Sequence, residues 1–239
     1  MNRDNGAGEH ADASGTGAPP GSGRPGGDAP PWHDPSGADP AVVAALTSLA
    51  QRTRELVEAV VLTDAGVDEM DRVAAEIGDL TGRLGARRRG GPIRSAPGPG
   101  DRAFTQLHSP ITGEGNPLAP PIRIATTPEG TARAEFTLGP AYEGPPDAVH
   151  GGVCAAILDH LLGWAAVAGG RPGMTAGLRL RYRRPTPVGE PLVAEAWISA
   201  VEGRTTVVDG RILNGRGSPT VEATGEFVLP RQWEEALRS

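Results

Sequence analysis

The sequence predicts an α+β fold in which a sheet curls around one long, buried helix. Two observations predict it. Residues 150–168 form the longest apolar run of the chain, polar only at His150, Asp159 and His160. A run of that length exceeds an ordinary strand and suits a helix of roughly five turns. On both sides of it the apolar residues alternate with period two, the signature of strands with one covered face. Strands before and after a single apolar helix have that helix as their shared core.

The elements follow in order. Sixteen of the first forty residues are Gly or Pro, and residues 1–38 are expected to be a disordered tail. Asp39-Pro40 reads as an N-cap with proline in the first turn. Val42, Leu46, Leu49, Leu56 and Val60 then recur at helical spacing, and after Thr63-Asp64-Ala65-Gly66 so do Met70, Val73, Ile77, Leu80 and Leu84. Residues 39–88 are therefore expected to form a helical hairpin that packs on the main domain or on a dimer mate. Residues 89–104, with Pro97-Gly98-Pro99-Gly100, read as a linker, residues 105–230 as the main domain and residues 231–239 as a tail. Within the main domain, Pro121–Thr126 is a short strand. Thr131–Leu138 places Ala132, Ala134, Phe136 and Leu138 on one side. Beyond the helix, Met174–Tyr182 puts Leu178, Leu180 and Tyr182 on one face and Thr175, Arg179 and Arg181 on the other. Leu192–Val201, Thr205–Leu213 and Val221–Leu229 complete the sheet.

Composition excludes several chemistries. Every basic residue except histidine is Arg, so no lysine can form a Schiff base or serve a phosphate-binding loop. The net charge of −6 argues against nucleic-acid binding. The single cysteine, Cys154, fits a reducing compartment, and the polar start carries no apolar signal core. Asp159 and His160 interrupt the only run long enough to span a membrane. A soluble, cytoplasmic protein is expected. No cluster of zinc-ligand spacing, nucleophile elbow or dinucleotide fingerprint occurs, so no metal and no cofactor are expected.

Asp159 is the functional clue, because a carboxylate within an apolar helix is costly unless it is used or paired. At ~100° per residue, Gly152 and Asp159 share a face roughly 10 Å apart, while His150 and Asp159 point to opposite sides. The amide at the helix start and the Asp159 carboxylate can serve one small reacting group only if a second subunit supplies one of them, which implies a site at the interface of a symmetric homodimer.

Val149-His150-Gly151-Gly152, Asp159 nine residues after the histidine, Thr175, and Tyr182-Arg183-Arg184-Pro185-Thr186-Pro187-Val188-Gly189 resemble the hotdog-fold acyl-CoA thioesterases, in their PaaI-like and thioesterase-superfamily-member branch. The resemblance covers residues 105–230. It implies a hotdog fold, a curved antiparallel sheet around one central helix, and a homodimer or homotetramer acting on acyl-CoA in fatty acid metabolism. By the same resemblance Asp159 is the general base or nucleophile, the Gly152 N–H polarises the thioester carbonyl beside His150, and Thr175 positions the water. Gly151, at the helix start, and Arg183, Arg184 and Arg204, near strand ends, are candidates for holding the substrate, the arginines on the coenzyme A phosphates. Some relatives carry Asn or Gln six residues before the histidine, where this chain has Gly144. The alternatives are an acyl-thioester hydratase or dehydratase of the same fold, and a non-catalytic acyl-CoA sensor.

Overall fold

The computed structural model describes residues 39–91 and 107–231. The expected tail at 1–38, residues 92–104 of the expected linker, residues 105 and 106 of the expected main domain and residues 232–239 of the expected C-terminal tail lie outside these residues. The main body is a six-stranded antiparallel sheet of β1 (Ile124–Thr127), β2 (Thr131–Thr137), β3 (Met174–Tyr182), β4 (Pro191–Glu202), β5 (Thr205–Leu213) and β6 (Pro219–Val228). Its spatial order is β1-β2-β4-β5-β6-β3, so β3 is an edge strand although it lies mid-chain. The sheet curves around a helix, Gly151–Ala168, which is the predicted hotdog architecture.

Small residues allow this curvature. The concave face presents Ala132, Ala134, Ala194, Ala196 and Ala223, while the helix supplies the bulk through Ile157, Leu158, Leu161 and Leu162, all buried. Where helix and sheet approach most closely, Leu162 sits over two glycines. A Cβ on Gly210 would lie 2.9 Å from it, and one on Gly225 3.1 Å. Close packing of this kind leaves no room for an added methyl group. The central helix is apolar enough to cross a membrane by length and hydropathy. Here it fills the groove of the sheet instead.

The sequence suggests a helix buried nearly all round, and this needs correction. Cys154, Leu158, Leu161, Leu162 and Ala165 are buried, whereas Gly152 is exposed and Ala156, Asp159 and Gly163 are only partly covered. One face of the helix thus stays open in a single chain. It is the face that carries Asp159.

Both predicted N-terminal helices form: α1 (Pro40–Leu62), capped by the Asp39 carboxylate on the Ala41 N–H at 2.8 Å, and α2 (Val67–Gly85). The central helix is α3. Helix α1 lies against the main body: Ala50 is buried, Arg54 donates to the carbonyl of Asn116 at 2.8 Å, and Glu58 approaches Gly139. Helix α2 buries no residue at all. The expectation that the pair packs on the main domain therefore holds for α1 alone, and Val57, Val60, Val61, Met70, Leu80 and Leu84 remain exposed.

Candidate active site

The loop 139–149 sets the start of α3. After a short 3-10 turn, Pro140–Tyr142, the chain reverses through Gly144 and Asp147, the latter at φ 61°. The Glu143 carboxylate receives the Asp147 N–H at 2.8 Å, which steadies this left-handed position. Backbone bonds then fix both sides of the histidine: Val149 N–H to the Thr186 carbonyl and His150 N–H to the Tyr142 carbonyl.

His150 is the N-cap of α3. Its Nδ1 accepts the Gly152 N–H at 3.0 Å. The proposed carbonyl-polarising amide is thus already occupied in a single unliganded chain. The same bond places the imidazole proton of neutral His150 on Nε2, which leaves that N–H as a donor. Gly144 sits directly beneath: a Cβ there would lie 2.8 Å from the His150 Cα and 3.1 Å from its Cδ2. An Asn or Gln cannot occupy this position with the present backbone. Tyr182 closes the other side, its hydroxyl donating to the Gly151 carbonyl at 2.9 Å.

Asp159 lies two turns further along, on the same face as Gly152. The Thr175 hydroxyl donates to its Oδ1 at 3.0 Å. Simple alternation places Thr175 on the face of β3 turned away from the helix, and the structure corrects this. A bulge between Thr175 and Gly177 shifts the register against β6, so Thr175 turns toward α3 while Leu178 and Leu180, beyond the bulge, still pack on the core. His160, the next residue, faces another way. Its Nε2 accepts the Trp164 indole N–H at 2.9 Å and lies 2.8 Å from the Thr112 hydroxyl, and burial pushes its pKa down to about 4 against a smaller opposing pull from Asp159. It is a neutral interior histidine.

Cys154 is buried, and burial pushes its thiol up. The thiol points at the Thr186 hydroxyl at 3.7 Å, which donates to Thr220, which in turn donates to the Ile212 carbonyl. This chain of hydroxyls ties α3 to the Pro185–Pro187 turn and to β5. A protonated thiol in that setting is structural.

The structure brings His150, Gly151 and Gly152 together at the start of α3, and Asp159 with Thr175 near its middle. It does not join the two groups within one chain. The arginines divide likewise. Arg183 pairs with Glu222 at 2.7 Å and Arg184 donates to the Pro219 carbonyl, both next to Tyr182 at the His150 end. Arg204 donates to the Leu229 carbonyl near the opposite end of the sheet. Each already has a local partner. Among the described residues no three His, Cys, Asp or Glu side chains come together to hold a metal ion.

A profile described as Thioesterase superfamily matches residues 147–221, from the loop before α3 into β6. Acyl-coenzyme A thioesterase THEM4 of Xenopus laevis is 34% identical over 94 residues, 39% of this chain and 42% of that protein. The Mus musculus protein of the same name is 36% identical over 94 residues, 39% of this chain and 40% of its own length. The chain therefore spans about two-fifths of the length of these curated relatives. A solved structure of a thioesterase superfamily protein is 36% identical and superposes with a TM-score of 0.71, over 81% of this chain and 94% of that one. The chain belongs to the thioesterase superfamily. The breadth of that last match, 81% of 239 residues, exceeds what residues 92–239 can supply, so the likeness to this superfamily member extends onto α1 and α2.

Two features of this superfamily member escape a reading of the residues in order. Tyr182 continues the apolar alternation of β3, which points it at the helix, but its bond to Gly151 depends on how the sheet curls. The Cys154–Thr186–Thr220 chain joins residues 32 and 34 positions apart in sequence and has no local signal at all.

Proposed function

We propose that this protein hydrolyses acyl-CoA thioesters at sites built jointly by two copies of the chain. One observation carries the reading: the two halves of the site lie at the two ends of β3, whose outer edge has no strand partner among the described residues. Thr175, bonded to Asp159, is near one end, and Tyr182, bonded to Gly151, is at the other. Antiparallel pairing of two such edges about Leu178 and Arg179 sets Thr175 opposite the partner's Tyr182. Asp159 then faces the partner's His150, Gly151 and Gly152 across the open face of α3. An unpaired edge strand of this length also calls for a cover.

The chemistry follows from the parts. The thioester carbonyl needs a donor where negative charge develops, and the N-terminus of α3 offers one. The substrate oxygen takes the Gly152 N–H in place of the His150 Nδ1, and the imidazole moves alongside with its Nε2 proton. From the other chain, Asp159 takes a proton from water as it attacks the carbonyl carbon, or attacks itself to form an anhydride that water opens. Thr175 holds one carboxylate oxygen and leaves the other for this task. Collapse of the tetrahedral species expels the coenzyme A thiolate, so acyl-CoA and water yield carboxylate, free thiol and a proton. Acyl-CoA as the substrate class is supported by the acyl-coenzyme A thioesterases that the chain resembles. Arg183 and Arg184 reach the phosphates only by leaving their present partners.

A panel of acyl-CoA substrates followed by free-thiol release tests this. Turnover by the wild type, lost on the order of a hundredfold or more in Asp159→Asn, is expected. Binding of acyl-CoA without release of thiol points instead to a sensor, and near-normal turnover by Asp159→Asn removes the proposed mechanism.

A further inference from the structure

We propose that α2 docks antiparallel against α2 of a second copy, adding an association surface separate from the β3 edge. The sequence of α2 is that of a coiled-coil seam. Met70, Val73, Ile77, Leu80 and Leu84 are spaced 3, 4, 3 and 4, a narrow stripe suited to one partner helix. Yet no residue of α2 is buried, and Met70, Leu80 and Leu84 are 43%, 49% and 59% exposed. The stripe runs along most of the helix, and among the described residues nothing buries it, Val73 and Ile77 being only partly covered.

The sequence outside the described residues offers no matching stripe. Residues 1–38 contain only Met1 and Trp32 as large apolar side chains, residues 92–106 only Ile93 and Phe104, and residues 232–239 only Trp233 and Leu237. None of these segments carries a repeating stripe to match five seam positions.

Charge selects a second copy and its direction. Helix α2 opens with Asp68, Glu69 and Asp71 and closes with Arg83, followed by Arg87, Arg88 and Arg89. A parallel pair sets like charges together. An antiparallel pair with its two-fold axis near Glu76 and Ile77 sets Glu69, which bonds Arg72 of its own chain at 2.6 Å, beside the partner's Arg83 as well. The seam is then self-complementary, as a two-fold interface requires. Only Glu76 meets its own kind, at the axis.

Cysteine cross-linking in the full-length protein tests the arrangement, since the native Cys154 is buried. Under mild oxidation Glu76→Cys is expected to form a disulfide-linked dimer at least about tenfold faster than Asp79→Cys, which lies on the far side of α2 from the seam. Equal rates, or no cross-link in either, overturn the proposal. In parallel, Ile77→Asp with Leu80→Asp should lower the mass in solution by one level of association while leaving acyl-CoA hydrolysis per chain unchanged. An unchanged mass counts against α2 docking. Absence of hydrolysis in the wild type bears on the proposed activity and leaves the cross-linking result intact.

Discussion

The Thr175 hydroxyl donates to the Asp159 carboxylate at 3.0 Å, at the one place where β3 slips its register against β6. The bulge exchanges regular pairing for a side chain aimed at the helix. Bulges of this kind recur beside functional sites because they re-aim one residue without disturbing the rest of a strand. Thr175→Val keeps the shape and removes the bond, so the carboxylate loses its fixed orientation. Turnover is expected to fall about tenfold, with KM nearly unchanged, and Thr175→Ser should recover most of it. Steady-state kinetics on the preferred acyl-CoA distinguishes this from a folding defect, which lowers the active fraction alone.

Gly144→Asn is expected to reduce activity. A Cβ at this position meets the His150 backbone at 2.8 Å, so the loop must shift and carry the helix cap with it. A variant as active as the wild type means that the loop rearranges freely.

His160 makes stability fall in acid. Its folded pKa of about 4 lies below the ordinary value of 6.5, mainly because burial disfavours the charged ring. Between these two values the unfolded chain binds a proton that the folded chain refuses. The contribution is complete above about pH 6.5 and is lost as pH drops toward 4, amounting to roughly 2–3 kcal/mol. Denaturant midpoints measured from pH 7.5 to 4.5 should show this slope, and His160→Gln should flatten it.

Gly210→Ala is expected to destabilise by about 1–3 kcal/mol. The new methyl would lie 2.8 Å from the Glu195 carbonyl oxygen on the neighbouring strand and 2.9 Å from Leu162. A backbone oxygen cannot yield as a side-chain tip can. Thermal unfolding measures the loss, and an unchanged midpoint means that β4 and β5 separate more easily than their pairing suggests.

Much of this was legible in the residues. Period-two alternation located β2 and β4 to β6 within a few residues, and the apolar run located α3, because those signals are local. Asp159 and Thr175 are each legible as site residues, but neither their hydrogen bond nor the face of Thr175 is, since a bulge depends on pairing with β6. The capping of Gly152 by His150 is a two-residue event, and such caps can be read from sequence. By contrast, the open face of α3 and the uncovered seam of α2 are properties of one chain in space. Composition alone makes α3 look buried all round, and the stripe of α2 does not say what covers it.

The shared site is tested most directly by mixing two inactive variants. His150→Ala paired with Gly152→Pro damages the helix start in one chain, and Asp159→Asn removes the carboxylate in the other. Unfolded together, refolded and purified as a verified mixed dimer, they should regain activity, because one of the two sites is then assembled from intact halves. The expected recovery is up to about half of the wild-type rate per dimer. A mixed dimer as inactive as either parent contradicts a site divided between two chains.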